Sequence, residues 1–212
     1  PPVKLAYVLN TYPLPSHSFI RRELAALEAD GVPVLRLAMR RPDVPLPDAG
    51  DQAEQARTEY VLDRGAVRLA AGAAKLAVRR PARFFSALRL ALSAGRAAPG
   101  GRLRHLIYLA EACFVAQRCT QAGITHVHAH SCGRATLVAM MAHLMGGPTY
   151  SVTLHGPMSD YGPGQRLKWR HAKFATVITE KLYKLLPEQL GDDRPKRVFI
   201  QPMGVDVNVL NR

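Results

Sequence analysis

Between Asp63 and Glu111 the sequence contains no acidic residue. That interval holds Arg64, Arg68, Lys75, Arg79, Arg80, Arg83, Arg89, Arg96, Arg102 and Arg104. A tract of one sign this long points to an anionic partner: nucleic acid, phospholipid head groups or a phosphorylated substrate. Cysteine is scarce too. Cys113, Cys119 and Cys132 form an odd, sparse set, which argues against a disulfide framework and suits a reducing cytoplasm. No apolar run approaches the roughly 20 residues needed to cross a bilayer. The opening PPVKLAYVLNTYPLP turns polar after Leu9 and reads as a first strand rather than a signal peptide or anchor. No G-x-G-x-x-G is present, which disfavours a nicotinamide or flavin dehydrogenase, and no Walker loop, which disfavours a P-loop ATPase. What remains is 212 residues, 48% hydrophobic, with a formal net charge of +13: enough to bury a proper core.

The pattern of that core is legible along the chain. VKLAYVL (3–9) is an apolar, β-rich run. FIRRELAALEAD is a helix that Ser16 or Ser18 can cap and Gly31 ends. VPVLRLAM (32–39) is a second strand, RRPDVPLPDAG a proline-rich surface loop, and TEYVLD (58–63) a third strand. Two alanine- and leucine-rich helical stretches follow, split by Pro81; GRAAPGG breaks the chain, and a long helix runs from about 102 to 123. Then THVHAH, GRATLVAMMAHLMG, PTYSVTLH, RLKWRHAKF, ATVITE, KLYKLLPEQLG and KRVFIQP alternate strand and helix. Such alternation predicts an α/β fold: a Rossmann-like doubly wound parallel sheet with helices on both faces. The expected organisation is one domain over 1–200, with a basic helical insertion at 64–104, and the start of a linker at 201–212.

Ligands of such sheets sit beyond the carboxyl ends of the strands. Here those ends read LNTYPLPSHS, HAHSCG, LHGPMSDYGPG and QPMGVDV, each rich in histidine, hydroxyls, glycine or aspartate. His126, His128 and His130 alternate, so they share one face of a strand, and with Cys132 they could suit zinc. The favoured reading gives them no metal: His126 begins the strand, His128 is packed and hydrogen-bonded, and only His130 reaches the cleft. His155 ends the next strand, and Gly156 lets the backbone turn sharply behind it. Asp160, with glycines at 162 and 164, suggests a loop able to close over a polar ligand. Ser16, His17 and Ser18 open the first helix, where exposed amides favour an anion, although plain helix capping is the favoured local reading.

The basic tract lacks the aromatic interleaving and RNA-module motifs of a nucleic-acid face. Its arginines, with Arg79, Arg80, Arg83 and Arg89 central, alternate with leucine, valine and phenylalanine at helical spacing. That suits a helix lying on an anionic membrane surface, although a plain solvated helical surface accounts for the same spacing.

Taken together, these segments resemble the N-terminal half of a GT-B glycosyltransferase, nearest to the family 4 retaining enzymes of bacterial exopolysaccharide, capsule and lipopolysaccharide assembly. AYVLNTYPLPSHSFIRRELAALEADGVPV is similar to the family's opening strand, loop and helix. THVHAHSCGRATLVAMMAHLMGGPTYSVTLHG resembles its paired-histidine strand, helix and histidine-terminated strand. ATVITEKLYKLL and VFIQPMGVDVNVL resemble the segments that close the first domain. Members commonly carry an acidic residue and a threonine where this chain has His17 and Ser18, and a serine where it has Thr179-Glu180. The resemblance implies that His155 approaches the donor sugar, that His130 lines the acceptor side, and that Ser16, His17, Ser18, Gly156 and Asp160 complete the donor and acceptor contacts. Glu23 matches an acidic position with a structural role. The implied partners are a nucleotide-sugar donor and a lipid-linked or polysaccharide acceptor at the inner face of the cell membrane, with no metal or other cofactor and no nucleic acid. The implied nucleotide pocket belongs to a second domain outside these residues. Two other readings compete: a non-catalytic basic Rossmann-like module that binds an anionic partner or membrane, and a metal-dependent hydrolase built on His126, His128 and His130.

Overall fold

A computed structural model describes residues 4–96, 98 and 100–204. Two residues of the GRAAPGG break and the linker positions 205–212 lie outside the described residues. Seven strands form a single all-parallel sheet: β1 (Leu5–Thr11), β2 (Val34–Arg40), β3 (Thr58–Tyr60), β4 (His126–His130), β5 (Thr149–Leu154), β6 (Phe174–Val177) and β7 (Val198–Ile200), in the order β3-β2-β1-β4-β5-β6-β7. The helices are α1 (Ser18–Ala29), α2 (Ala49–Arg57), α3 (Ala66–Arg79), α4 (Pro81–Ala94), α5 (Gly101–Ala122), α6 (Arg134–Leu144), α7 (Gln165–Arg170) and α8 (Glu180–Leu190). This is the expected α/β doubly wound sheet of Rossmann type. Its switch point lies between β1 and β4, where successive connections leave in opposite directions.

Helix α2 departs from the sequence reading, which has only loop between β2 and β3. The segment AGDQAEQAR carries no apolar face, so hydrophobic periodicity does not reveal it. It is helical because Asp48 caps it, accepting from the amides of Gly50 (2.7 Å) and Asp51 (3.2 Å). Its inward residues are acids, Asp51 and Glu54, both buried. Arg36 of β2 grips Glu54 with two bonds of 2.9 and 3.0 Å, and the Tyr12 hydroxyl donates to Glu54 at 2.9 Å. A buried ion pair with its remaining atoms satisfied thus replaces the usual leucine stripe. The third strand is correspondingly short, with a 3-10 turn over Leu62–Arg64. At α1, neither Ser16 nor Ser18 caps: Pro15–His17 forms a 3-10 turn that leads into the helix with no side-chain cap.

Right-handed crossovers place α1 and α2 on one face and α3 to α8 on the other. The larger core lies on the second face and includes Ala6, Val8, Met39, Ala129 and Val152; the smaller, under α1, holds Tyr7, Leu9, Ile20 and Leu24. Since α1 and α2 cover only β3, β2 and β1, the same face of β4 to β6 is not overlaid by a helix among the described residues. Helices do flank both faces as expected, but on this face open space remains beside His126 and His128. No helix among the described residues is long and apolar enough to cross a membrane.

Candidate active site

Parallel register sets His126, His128 and His130 opposite Thr149, Ser151 and Thr153 of β5, and sets Tyr7 of β1 opposite His128. All point to the α1 face. The hydroxyl period on β5 matches the histidine period on β4, and the two interlock. His126 contacts the hydroxyls of Thr149 and Ser151, each at 2.8 Å. One step along, His128 spans Ser151 and Thr153 at 2.8 and 2.9 Å. Thr153 continues the ladder to the Thr176 hydroxyl of β6. Burial, with the nearby Lys173 charge, lowers His126 to about 4; burial and the neighbouring His130 lower His128 to about 3. Both are neutral spacers at pH 7.

With both ring nitrogens of His126 and of His128 engaged, the zinc reading loses two of its ligands. Cys132 is no replacement: it sits in the opposite core, and burial pushes its thiol up to about 12. Glu23, His128 and His130 do offer ligand atoms within 4.8 Å of one another, but His128 would have to give up Ser151 or Thr153 to bind an ion.

At the carboxyl end of β4 a second network begins. His130 Nδ1 lies 2.9 Å from His155 Nε2, the ring that ends β5, and His130 Nε2 lies 3.6 Å from Glu23 Oε2 of α1. The Tyr7 hydroxyl donates to the other Glu23 oxygen. Burial alone would raise the Glu23 carboxyl, but the His130 contact, the adjacent His128 and the Tyr7 bond outweigh it and hold the group at about 2. Glu23 is therefore a carboxylate facing His130 Nε2, which lies beyond hydrogen-bond distance from it and is itself buried without a partner among the described residues. His130 Nδ1 and His155 Nε2 share one hydrogen bond, whose direction follows from the tautomer of the pair. The series ends at His155 Nδ1, which is buried and has no hydrogen-bond partner among the described residues. Burial first and His130 second lower His155 to about 4, so it too is neutral at pH 7.

The structure brings His17 to this cluster. Its ring stacks on Tyr12, with centroids 6.3 Å apart, and Phe19 lies between it and His155, 4.8 Å from the latter ring. Burial and then His130 lower the His17 pKa, and its Nδ1 is another buried atom without a partner among the described residues. Ser16 stands exposed and Ser18 half-buried beside it. The backbone bends at Gly156 as expected, without entering the left-handed region, which is taken instead by Gly162 (φ +73°) and Gly164 (φ +74°). Asp160 is exposed in a short 3-10 turn, Met158–Tyr161. Backbone strain falls at Ser131, at φ +65° immediately after His130. Lys168 holds the two loops around the site. Buried at 4% exposure, its Nζ donates to the carbonyls of Cys132 (2.7 Å) and Tyr161 (3.1 Å), and burial lowers its pKa to about 8.

A cavity of about 740 Å³ opens under α1 beside this cluster, floored by the ladder and rimmed by His155, Arg22 and Gln201. His126 and His128 line it and His130 does not, which reverses the expectation that His130 alone of the β4 histidines reaches the cleft. Arg80, by contrast, donates to the carbonyls of Met145 (2.9 Å) and Gly146 (2.8 Å) at the end of α6, and Arg83 lies beside Gly146. Helix α6 ends at the amino edge of the sheet, so these two arginines stand at the opposite end of the strands from His155. Arg79 and Arg89 are exposed.

No family model matches the chain, and no curated protein matches it. Among solved structures it is similar to a glycosyltransferase from Rickettsia africae, with a TM-score of 0.56 and 9% sequence identity. The similarity covers 99% of this chain and 45% of that one, so the chain spans less than half the length of its structural neighbour.

Proposed function

We propose that this chain is the acceptor-side half of a retaining glycosyltransferase, which moves a sugar from a nucleotide-sugar donor to a lipid-linked or polysaccharide acceptor. The observation that carries the reading is the unpartnered Nδ1 of His155, held at the switch point of a doubly wound sheet by the series Tyr7, Glu23, His130. A neutral imidazole with one nitrogen anchored and the other bare suits a sugar hydroxyl, which donates its proton into the lone pair. A phosphate would need a donor there instead. The likeness to a glycosyltransferase fold is consistent with this and adds no detail of substrate.

In such a reaction the chain's own residues bind and orient. His155 accepts from a donor-sugar hydroxyl, Phe19 and the histidine rings exclude water, and His17 with Ser16 and Ser18 borders the donor phosphates. Fixed dipoles and correct placement are the main sources of rate for an oxocarbenium-like transition state. The nucleotide would be gripped mainly by residues outside this chain.

The test is a panel of UDP- and GDP-sugars offered to the full gene product that carries this chain, with membrane extract as acceptor. Nucleotide release together with a product of unchanged anomeric configuration is expected from at least one donor. Inversion at the anomeric carbon would overturn the retaining assignment, and no release from any donor would overturn the transferase.

A further inference from the structure

The basic tract forms a surface remote from the cleft, and we infer that it docks on an anionic lipid bilayer. Helix α3 has two apolar faces. Leu69 and Leu76 point inward and are buried, while Val67 and Val78, three turns apart on the outer face, are each 82% exposed. Arg68, Lys75 and Arg79 run along the border of that outer face at the same helical spacing, all exposed. A helix packed on one side only has no reason of its own fold to carry valines on the other.

The first turns of α5 extend the surface. Leu103, between Arg102 and Arg104, is 73% exposed, and Ile107 is 44% exposed. By helical spacing they share the side of α5 that carries Phe114 and Gln117, and Gln117 marks where α3 docks by donating to the Gly72 carbonyl at 2.7 Å. Beyond the start of α3 that side of α5 is uncovered. Large exposed aliphatic groups thus sit among cations, with no acidic residue in the sequence from 64 to 110. This is the composition of an interfacial helix: apolar groups enter the acyl boundary while cations meet lipid phosphates. A nucleic-acid face would need stacking aromatics, and of the two phenylalanines here only Phe85 is exposed.

The test is co-sedimentation with phosphatidylcholine vesicles containing or lacking phosphatidylglycerol. Each basic residue at such a surface is worth about fivefold in partitioning, so Arg68→Glu/Lys75→Glu/Arg79→Glu should lose roughly a hundredfold or more. Val67→Asp/Val78→Asp should lose at least about tenfold without a change in melting temperature, since neither valine is packed. A control of equal charge change, Lys173→Glu/Lys181→Glu/Lys196→Glu, alters exposed lysines elsewhere and should bind as wild type. Equal loss in the control would reduce the effect to net charge and overturn the assignment. So would indifference to the valine changes accompanied by tight, salt-sensitive binding to single-stranded RNA, which would make this a nucleic-acid face.

Discussion

At the scale of single residues, the site is a set of neutral imidazoles kept neutral by burial, and that has a measurable consequence. His126, His128 and His155 titrate in the fold at about 4, 3 and 4, against 6.5 as the ordinary value. Their unfolded forms bind protons first, so the stability they confer is fully present above about pH 6.5 and is lost as pH falls toward 4. Each contributes up to about tenfold per pH unit to the unfolding constant. Urea denaturation at pH 7, 5.5 and 4.5 should show a steep decline that His128→Asn makes shallower; a flat profile over that window would contradict the burial of these rings. Glycine roles divide as sharply. A Cβ on Gly156 meets only the Tyr161 hydroxyl and Asp160, at ordinary contact distances of 3.5 and 3.7 Å, and Gly156→Ala should shift stability by less than about 0.5 kcal/mol. Gly162→Ala and Gly164→Ala force a side chain into left-handed backbone and should each cost about 1–2 kcal/mol in the same denaturation experiment. The alternating histidines and His155 were visible in the sequence. Tyr7 and Glu23 were not visible as their partners, because that pairing depends on β1 lying beside β4, more than a hundred residues on. The hydroxyls of TYSVTL were a usable signal, since their period of two matches that of HVHAH.

At the scale of elements, most of the alternation was legible because strands and helices buried on a parallel sheet carry apolar runs of characteristic period. Helix α2 was not, since it buries acids against Arg36. That arrangement ties β2, α2 and the Tyr12 loop into one unit, with the Tyr60 hydroxyl donating to the Tyr12 carbonyl at 3.0 Å. Arg36→Ala should therefore destabilise the fold by about 3–5 kcal/mol, as it leaves Glu54 buried without its main partner. Loss of less than about 1 kcal/mol would show that the pair is not needed. Lys168 acts on the other side of the site. Lys168→Met should raise amide exchange in residues 131–133 and 158–162 while leaving β4 and β5 protected, and unchanged exchange in both loops would deny it the clamping role.

At the scale of the molecule, the sheet order places the two regions of interest apart: a histidine cluster at the carboxyl ends of β4 and β5, and a basic, aliphatic surface on the far side of α5. The sequence showed both, yet grouped Arg80 with the surface, because a lone arginine gives no sign that two carbonyls at the end of α6 will claim it. The open face of β4 to β6 was also illegible, since the helices of a doubly wound sheet are apportioned to its faces by strand order, which the sequence does not display.

The central claim, that the series Tyr7, Glu23, His130, His155 presents a lone pair to a sugar hydroxyl, is tested most directly by comparing two histidines in one assay. In the full gene product, with the preferred nucleotide-sugar, His155→Ala should lower kcat/KM by about 10²–10³-fold, the usual loss when one preorganised polar contact is removed. His126→Ala, which breaks the ladder at its start, should stay within about tenfold of wild type. Near-wild-type turnover by His155→Ala, or equal losses in both variants, would contradict it.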